Sequence, residues 1–166
     1  MLSDTARLLL FPALMAFAAC SDLLTMTISN RITLMLAVGF AAAAVFSGMP
    51  MHGVLVHIGA AALVLTVAFI FFARGWIGAG DAKLAAATAL WFGFDHLLDY
   101  ALYASAFGGV LTYGMLRFRV IPLPPVLADH DWAKRLHRSD SGVPYGIALA
   151  AAALMIYPDT IWMHPG

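Results

Sequence analysis

All nine acidic residues of this 166-residue chain are aspartates, so a search for acid–base chemistry reduces to asking which of them sit where burial costs a carboxylate most. Two stand out. Asp22 follows Cys20-Ser21 at the end of one apolar stretch, and Asp81 follows Gly78-Ala79-Gly80 at the start of another. An Asp at the centre of a membrane helix costs about 2.5–3.5 kcal/mol, and less towards the interfaces, so such residues face a bundle interior or a wet cavity. Two carboxylates brought together repel, which keeps one protonated while the other is ionised near neutral pH. The ionised member can take a proton from water, and the protonated member can donate to the developing oxyanion or leaving amine. That is peptide hydrolysis of the aspartyl type, with no covalent intermediate, metal or organic cofactor. Other hydrolytic patterns lack support: there is no Gly-x-Ser-x-Gly, no His-Glu-x-x-His, and no evident His at the depth of Cys20.

Each of these residues also has a plain structural reading. Asp81 precedes Ala-Lys-Leu-Ala-Ala-Ala and suits a helix N-cap. Asp22 can be a boundary residue between an apolar span and a short loop. Gly78 and Gly80 serve as turn residues, although backbone without side chains beside a carboxylate would also admit an extended substrate closely.

The elements that must position these groups are set by composition. The chain is 63% hydrophobic and 11% charged, with a mean hydropathy of +0.88, whereas soluble domains carry about a quarter charged residues. This predicts an all-α integral membrane protein, a single polytopic domain over residues 1–166. A net charge of zero and a single cysteine argue against nucleic-acid partners, disulfide frameworks and four-cysteine zinc sites. Charge-poor stretches place about six transmembrane helices at 5–24, 31–48, 53–73, 81–97, 99–116 and 143–162. Ser47-Gly48-Met49-Pro50 divides the long uncharged run after Arg31. The fourth span is short, and crosses only if Asp81 and Asp95 reach towards the interfaces.

Basic residues give the sides. Arg31, Arg74, Lys83, Arg117, Arg119, Lys134, Arg135 and Arg138 lie in or beside three connections, and only Arg7 lies on the other side. By the positive-inside rule those connections are cytoplasmic and both termini extracytoplasmic. Both aspartates then fall on the cytoplasmic side. In the one sizeable loop, 117–141, Trp132 and Leu136 stand at i, i+4 among basic residues; this reads as a solvated basic loop, an interfacial turn on anionic lipid, or a substrate-docking segment. Phe17-Ala-Ala-Cys20 resembles a lipoprotein cleavage box, but the five spans that follow favour Cys20 as a small buried side chain. Trp76, Trp91, Trp162 and Tyr157 read as interface anchors. Asp95-His96 with Asp99, and Asp129-His130-Asp131 with His137, have metal-compatible ligands without the spacing of a helical zinc site, so no metal is assigned.

Gly78-Ala79-Gly80-Asp81-Ala82-Lys83 resembles the Gly-x-Gly-Asp-x-Lys signature of the type IV prepilin peptidases, membrane-embedded aspartyl proteases. Asp22, six residues before Ile28-Ser29-Asn30-Arg31, is similar to their first catalytic Asp ahead of an Ile-Pro-Asn sequence. Ser29 stands where the family usually has Pro, an exchange expected to loosen the turn. Pro144-Tyr145-Gly146 is similar to a Pro-Tyr-Gly element often found in these peptidases. The short form, without an N-terminal cytosolic domain carrying paired Cys-x-x-Cys motifs, is similar to the prepilin peptidases of tight-adherence (Flp) pilus systems.

The resemblance implies cleavage of the basic leader from prepilin or pilin-like precursors at the cytoplasmic face of the bacterial inner membrane. Asp22 and Asp81 would form the dyad, with Gly78, Gly80 and Lys83 in support. No cofactor is implied. N-methylation by S-adenosylmethionine, known in longer relatives, is left open with the sequence leaning against it, and the oligomeric state is not read. Two other classes stay open: a small proton- or cation-coupled transporter, and a non-catalytic pilus or secretion assembly subunit.

Overall fold

The structure, a computed structural model, describes residues 2–163, with side chains from residue 9 onward. Arg7, the one basic residue expected on the outer side, therefore lies outside the described side chains. The long uncharged run breaks as its composition predicts. Helix α2 (Asn30–Phe46) ends at Ser47, Gly48 takes a positive φ of 66°, and Pro50 caps α3 (Met51–Ala73). The remaining helices are α1 (Leu2–Thr25), α4 (Ala79–Phe92), α5 (Leu97–Val120), α6 (Pro125–Ala128), α7 (Asp131–His137) and α8 (Gly146–Ile156), which runs into a single 3-10 turn, Tyr157–Asp159. The described residues contain no strand.

By length and composition α3 is the one described helix that can cross a membrane; Leu9–Thr25, Asn30–Phe46 and Gly146–Asp159 are apolar but shorter. The expected fourth span, 81–97, is cut short because Gly93 adopts φ 63° and ends α4 at Phe92, which leaves Asp95 outside any helix. The expected fifth span gains a turn and carries Arg117 and Arg119 in its last turn. The expected sixth loses one at its start, where Pro144 and Tyr145 precede the helix. The loop expected over 117–141 holds two short helices.

Helix α4 lies at the centre, packed on α3, α2 and α8, while α8 packs in turn on α1 and α5. The contacts are lined by small residues. Ala82, Ala86, Ala87 and Ala89 of α4 and Ala148, Ala150, Ala152 and Ala153 of α8 are buried, so backbones approach closely without interlocking large side chains.

One end of this core is aromatic. Phe11 stacks on Tyr157 at 4.5 Å and lies 5.1 Å from Trp91. Trp91 donates Nε1–H to the Leu36 carbonyl at 2.9 Å, and Trp162 donates to the Trp91 carbonyl at 2.6 Å. His57 Nδ1 meets the Leu90 carbonyl at 2.8 Å. Carbonyls in the last turn of a helix have no intrahelical donor, and two of those of α4 are satisfied by side chains from other segments. Trp91, Trp162 and Tyr157 are therefore buried packing residues and not the interface anchors expected of them. Trp76 alone of that set is exposed, with the Arg74 guanidinium 5.2 Å over its ring.

Two further expectations are corrected. Cys20 is exposed, not buried. In α7, Leu136 is buried while Trp132 is half-buried and faces the His130 ring, so this turn docks on the protein through Ala133 and Leu136. Arg119 fixes it there: its guanidinium donates to the carbonyls of Leu136, Ser141 and Gly142 and to the Ser141 hydroxyl, at 2.7–3.0 Å. Arg135 donates to the Leu24 carbonyl at 2.7 Å, placing a cation at the C-terminal end of α1, where the helix dipole favours one.

Candidate active site

Asp22 and Asp81 come from helix ends 59 positions apart in sequence, and the fold brings their carboxylates within electrostatic reach of each other. Asp22 sits in the last turn of α1 and is 5% exposed. Its Oδ2 accepts the backbone N–H of Gly146 at 2.7 Å, one of the N–H groups at the start of α8 that lack an intrahelical partner. Gly146 has no room for a side chain. A Cβ there would lie 2.8 Å from Asp22 Oδ2 and 2.7 Å from Ile28 Cδ1.

Asp81 is not the N-cap of α4. Gly78 holds that position and Asp81 is the third residue of the helix, with its carboxylate accepting the Gly78 N–H. This is the backward half of a capping box, and an Asp there is favoured by the helix dipole. It is also half-buried, so the capping bond leaves it free for a second role. Gly78 has an ordinary φ of −74°, and its lack of a side chain is explained by space: a Cβ would come within 3.1 Å of Asp81 Oδ2. At Gly80 the obstacle is rigid, since a Cβ would meet Ile28 Cβ at 3.1 Å and Ile28 N at 3.4 Å.

Ile28 thus touches both glycines, one beside Asp81 and one holding Asp22. The segment that carries it is shaped by hydroxyls: Ser21 Oγ donates to the Thr27 carbonyl at 2.9 Å, Thr25 Oγ1 donates to the Ser21 carbonyl at 2.7 Å, and Met26 takes a left-handed φ of 56°. Ser29 does not loosen this turn. It is the N-cap of α2, its hydroxyl accepting the Arg31 N–H at 3.3 Å. Lys83 is exposed and donates to Asn30 Oδ1 at 2.9 Å; it ties the start of α4 to the start of α2.

A groove of about 920 Å³ opens beside Asp81, lined by residues of α3, α4, α5 and the segment leading into α8. Asp81 and Gly78 form part of its wall and Asp22 does not. Among the described residues no three His, Cys, Asp or Glu side chains gather as a metal site, so the acidic and histidine clusters at 95–99 and 129–137 stay dispersed. In the sequence Gly146 stands out only as part of Pro144-Tyr145-Gly146, and nothing there marks Ile28 as its neighbour. The tight glycine approach was the available signal, but spacing alone does not reveal which residue lies opposite.

The bundle gathers two acidic side chains from separate helix ends, one of them on the wall of a groove. Residues 9–113 match the type IV leader peptidase family, a stretch that contains both aspartates, and the chain belongs to that family. It is a peptidase of the leader-peptidase type, from a family that is typically membrane-associated. No curated protein and no solved structure matches it.

Proposed function

We propose that this chain is an aspartyl endopeptidase of the bacterial inner membrane that removes the leader from type IV, Flp-type prepilins and pilin-like precursors at the cytoplasmic face. In this reading residues 1–166 form one domain of six spans with both termini outside. Asp22 and Asp81 are the dyad. The observation that carries it is their convergence: a buried Asp22 held by the Gly146 N–H and an Asp81 on a groove wall, in a chain of this family. One carboxylate takes a proton from water as the oxygen attacks the scissile carbonyl carbon. The other donates its proton as the C–N bond breaks, so a carboxylic acid and an amine leave and the dyad again holds one proton. Gly78, Gly80 and Lys83 support the geometry through the Asp81 cap, the Ile28 contact and the Asn30 bond. No cofactor enters, and the reading does not extend to N-methylation.

The test is leader removal from a co-expressed prepilin, read by gel shift, with wild type, Asp22→Asn and Asp81→Asn matched for membrane abundance. Asn at position 81 keeps an acceptor for the Gly78 N–H but cannot exchange a proton at neutral pH, so capping and catalysis separate. Processing by wild type and by neither variant is expected. Cleavage by an Asn variant would make that Asp structural, and an inactive wild type would favour the transporter or assembly-subunit readings.

A further inference from the structure

Tyr145 is the N-cap of α8, a position where a short polar side chain usually serves the helix, yet its side chain makes no cap bond. The phenol turns instead to α5. Its hydroxyl donates to the Ala104 carbonyl at 3.2 Å, and its ring lies in a notch at Gly108, where a Cβ would overlap the hydroxyl and the ring carbons next to it. Gly108 sits inside α5 without a positive φ, so backbone conformation does not call for glycine there. A glycine inside a helix costs about 0.5–1 kcal/mol relative to alanine, and the space taken by the ring accounts for it. Gly109 and Gly114 of the same helix face nothing within 4 Å.

The next residue is Gly146, whose N–H holds Asp22 Oδ2 at 2.7 Å. That N–H belongs to the planar peptide joining Tyr145 to Gly146, so where the tyrosine is anchored decides where the N–H points. The chain around this peptide is fixed as well. Pro144 and Gly146 are buried, the Tyr145 N–H donates to the Val143 carbonyl at 2.8 Å, and the Tyr145 carbonyl accepts the Leu149 N–H at 3.1 Å. The start of α8 is thus pinned to two helices, to α5 by a side chain and to α1 by the Asp22 carboxylate. Tyr145 also lines the groove that has Asp81 on its wall.

We propose that Tyr145 is a positioning residue for the dyad: its ring, seated in the Gly108 notch, holds the peptide whose N–H fixes Asp22. The inference rests on the peptidase reading and deepens it. The ring matters more than the hydroxyl, because an O–H···O bond of 3.2 Å is longer than the usual range of about 2.5–3.0 Å.

The test is steady-state cleavage of a purified prepilin in detergent, with kcat and KM measured for matched amounts of folded enzyme. Gly108→Ala fills the notch and Tyr145→Ala removes the ring; each should lower kcat at least tenfold and move KM less than threefold. Tyr145→Phe keeps the ring and should hold kcat within threefold of wild type. The double variant of Gly108→Ala with Tyr145→Ala has no ring to displace, so its kcat should lie within twofold of that of Tyr145→Ala alone. Losses that multiply would make the two positions independent and overturn the proposal. A change confined to KM would make Tyr145 a substrate contact and overturn it too. A second measurement needs no catalysis: hydrogen exchange at the Gly146 amide, read by NMR on glycine-labelled protein. Exchange should quicken at least tenfold in Gly108→Ala and in Tyr145→Ala, and less than twofold in the control Gly109→Ala. An active wild type whose kcat or Gly146 exchange is unmoved by Gly108→Ala refutes the inference and spares the peptidase reading. A wild type that cuts no prepilin refutes the peptidase reading, and the role in a dyad falls with it.

Discussion

Asp22 accepts the backbone N–H of Gly146 at 2.7 Å across 124 residues of sequence, so the first carboxylate of the candidate dyad is oriented by the start of the last helix. The partner is a main-chain group, and the contact is possible because position 146 has no side chain.

Gly146→Ala should therefore reduce leader cleavage at least tenfold. Its methyl would press on Asp22 Oδ2 and Ile28 Cδ1, and overpacking of this kind costs about 1–3 kcal/mol. Gly114→Ala is the control, because a Cβ there meets nothing within 4 Å and alanine inside a helix is favoured by about 0.5–1 kcal/mol. Cleavage rates for matched amounts of the two variants decide the point; equal rates would remove Gly146 from the site.

Ser29→Pro should be close to neutral. The φ of −66° at Ser29 already suits a proline ring. Losing the hydroxyl cap costs about 1 kcal/mol, and restricting the unfolded chain returns about 0.4–1 kcal/mol. A thermal midpoint in detergent within about 2 °C of wild type is expected for a chain of this size. A large drop would mean that the turn holding Ile28 depends on the serine.

Arg119→Lys should free the segment between α5 and α8. Four acceptors converge on one planar guanidinium, and an ammonium cannot reproduce that fork. Limited proteolysis within residues 122–142 should quicken at least fivefold for Lys and further for Met. Unchanged cutting would show that α7 is held by Ala133 and Leu136 alone.

Trp162→Phe should lower stability by about 1–3 kcal/mol, the range for stranding a buried carbonyl, here that of Trp91. Denaturant unfolding followed by fluorescence of the remaining tryptophans measures it. A loss below about 0.5 kcal/mol would mean that ring packing, and not the hydrogen bond, fixes this turn.

Sequence carried the helical class and the break at Gly48, because composition and turn residues are local properties. It misjudged Trp91, Trp162 and Cys20, since whether a side chain faces lipid, a neighbour or an interface depends on which helix lies opposite. Position 81 shows the same limit at close range. An Asp beside a glycine pair suggested a cap, but where the helix begins is decided by Gly78, and the carboxylate reaches back to it from the third residue. Arg119 reads in the sequence as one of several basic residues marking a side of the membrane, and nothing in its neighbours announces the four acceptors that surround it.

The bond between Asp22 and Gly146 also sets an order of events during synthesis. Residue 22 leaves the ribosome long before residue 146 exists, 124 residues later, and the α4 carbonyl of Trp91 waits 71 residues for the indole of Trp162. Until the last segment has folded, Asp22 lacks its backbone partner and the Trp91 carbonyl lacks its indole donor. A nascent chain thus holds both aspartates before the contact that orients Asp22 exists.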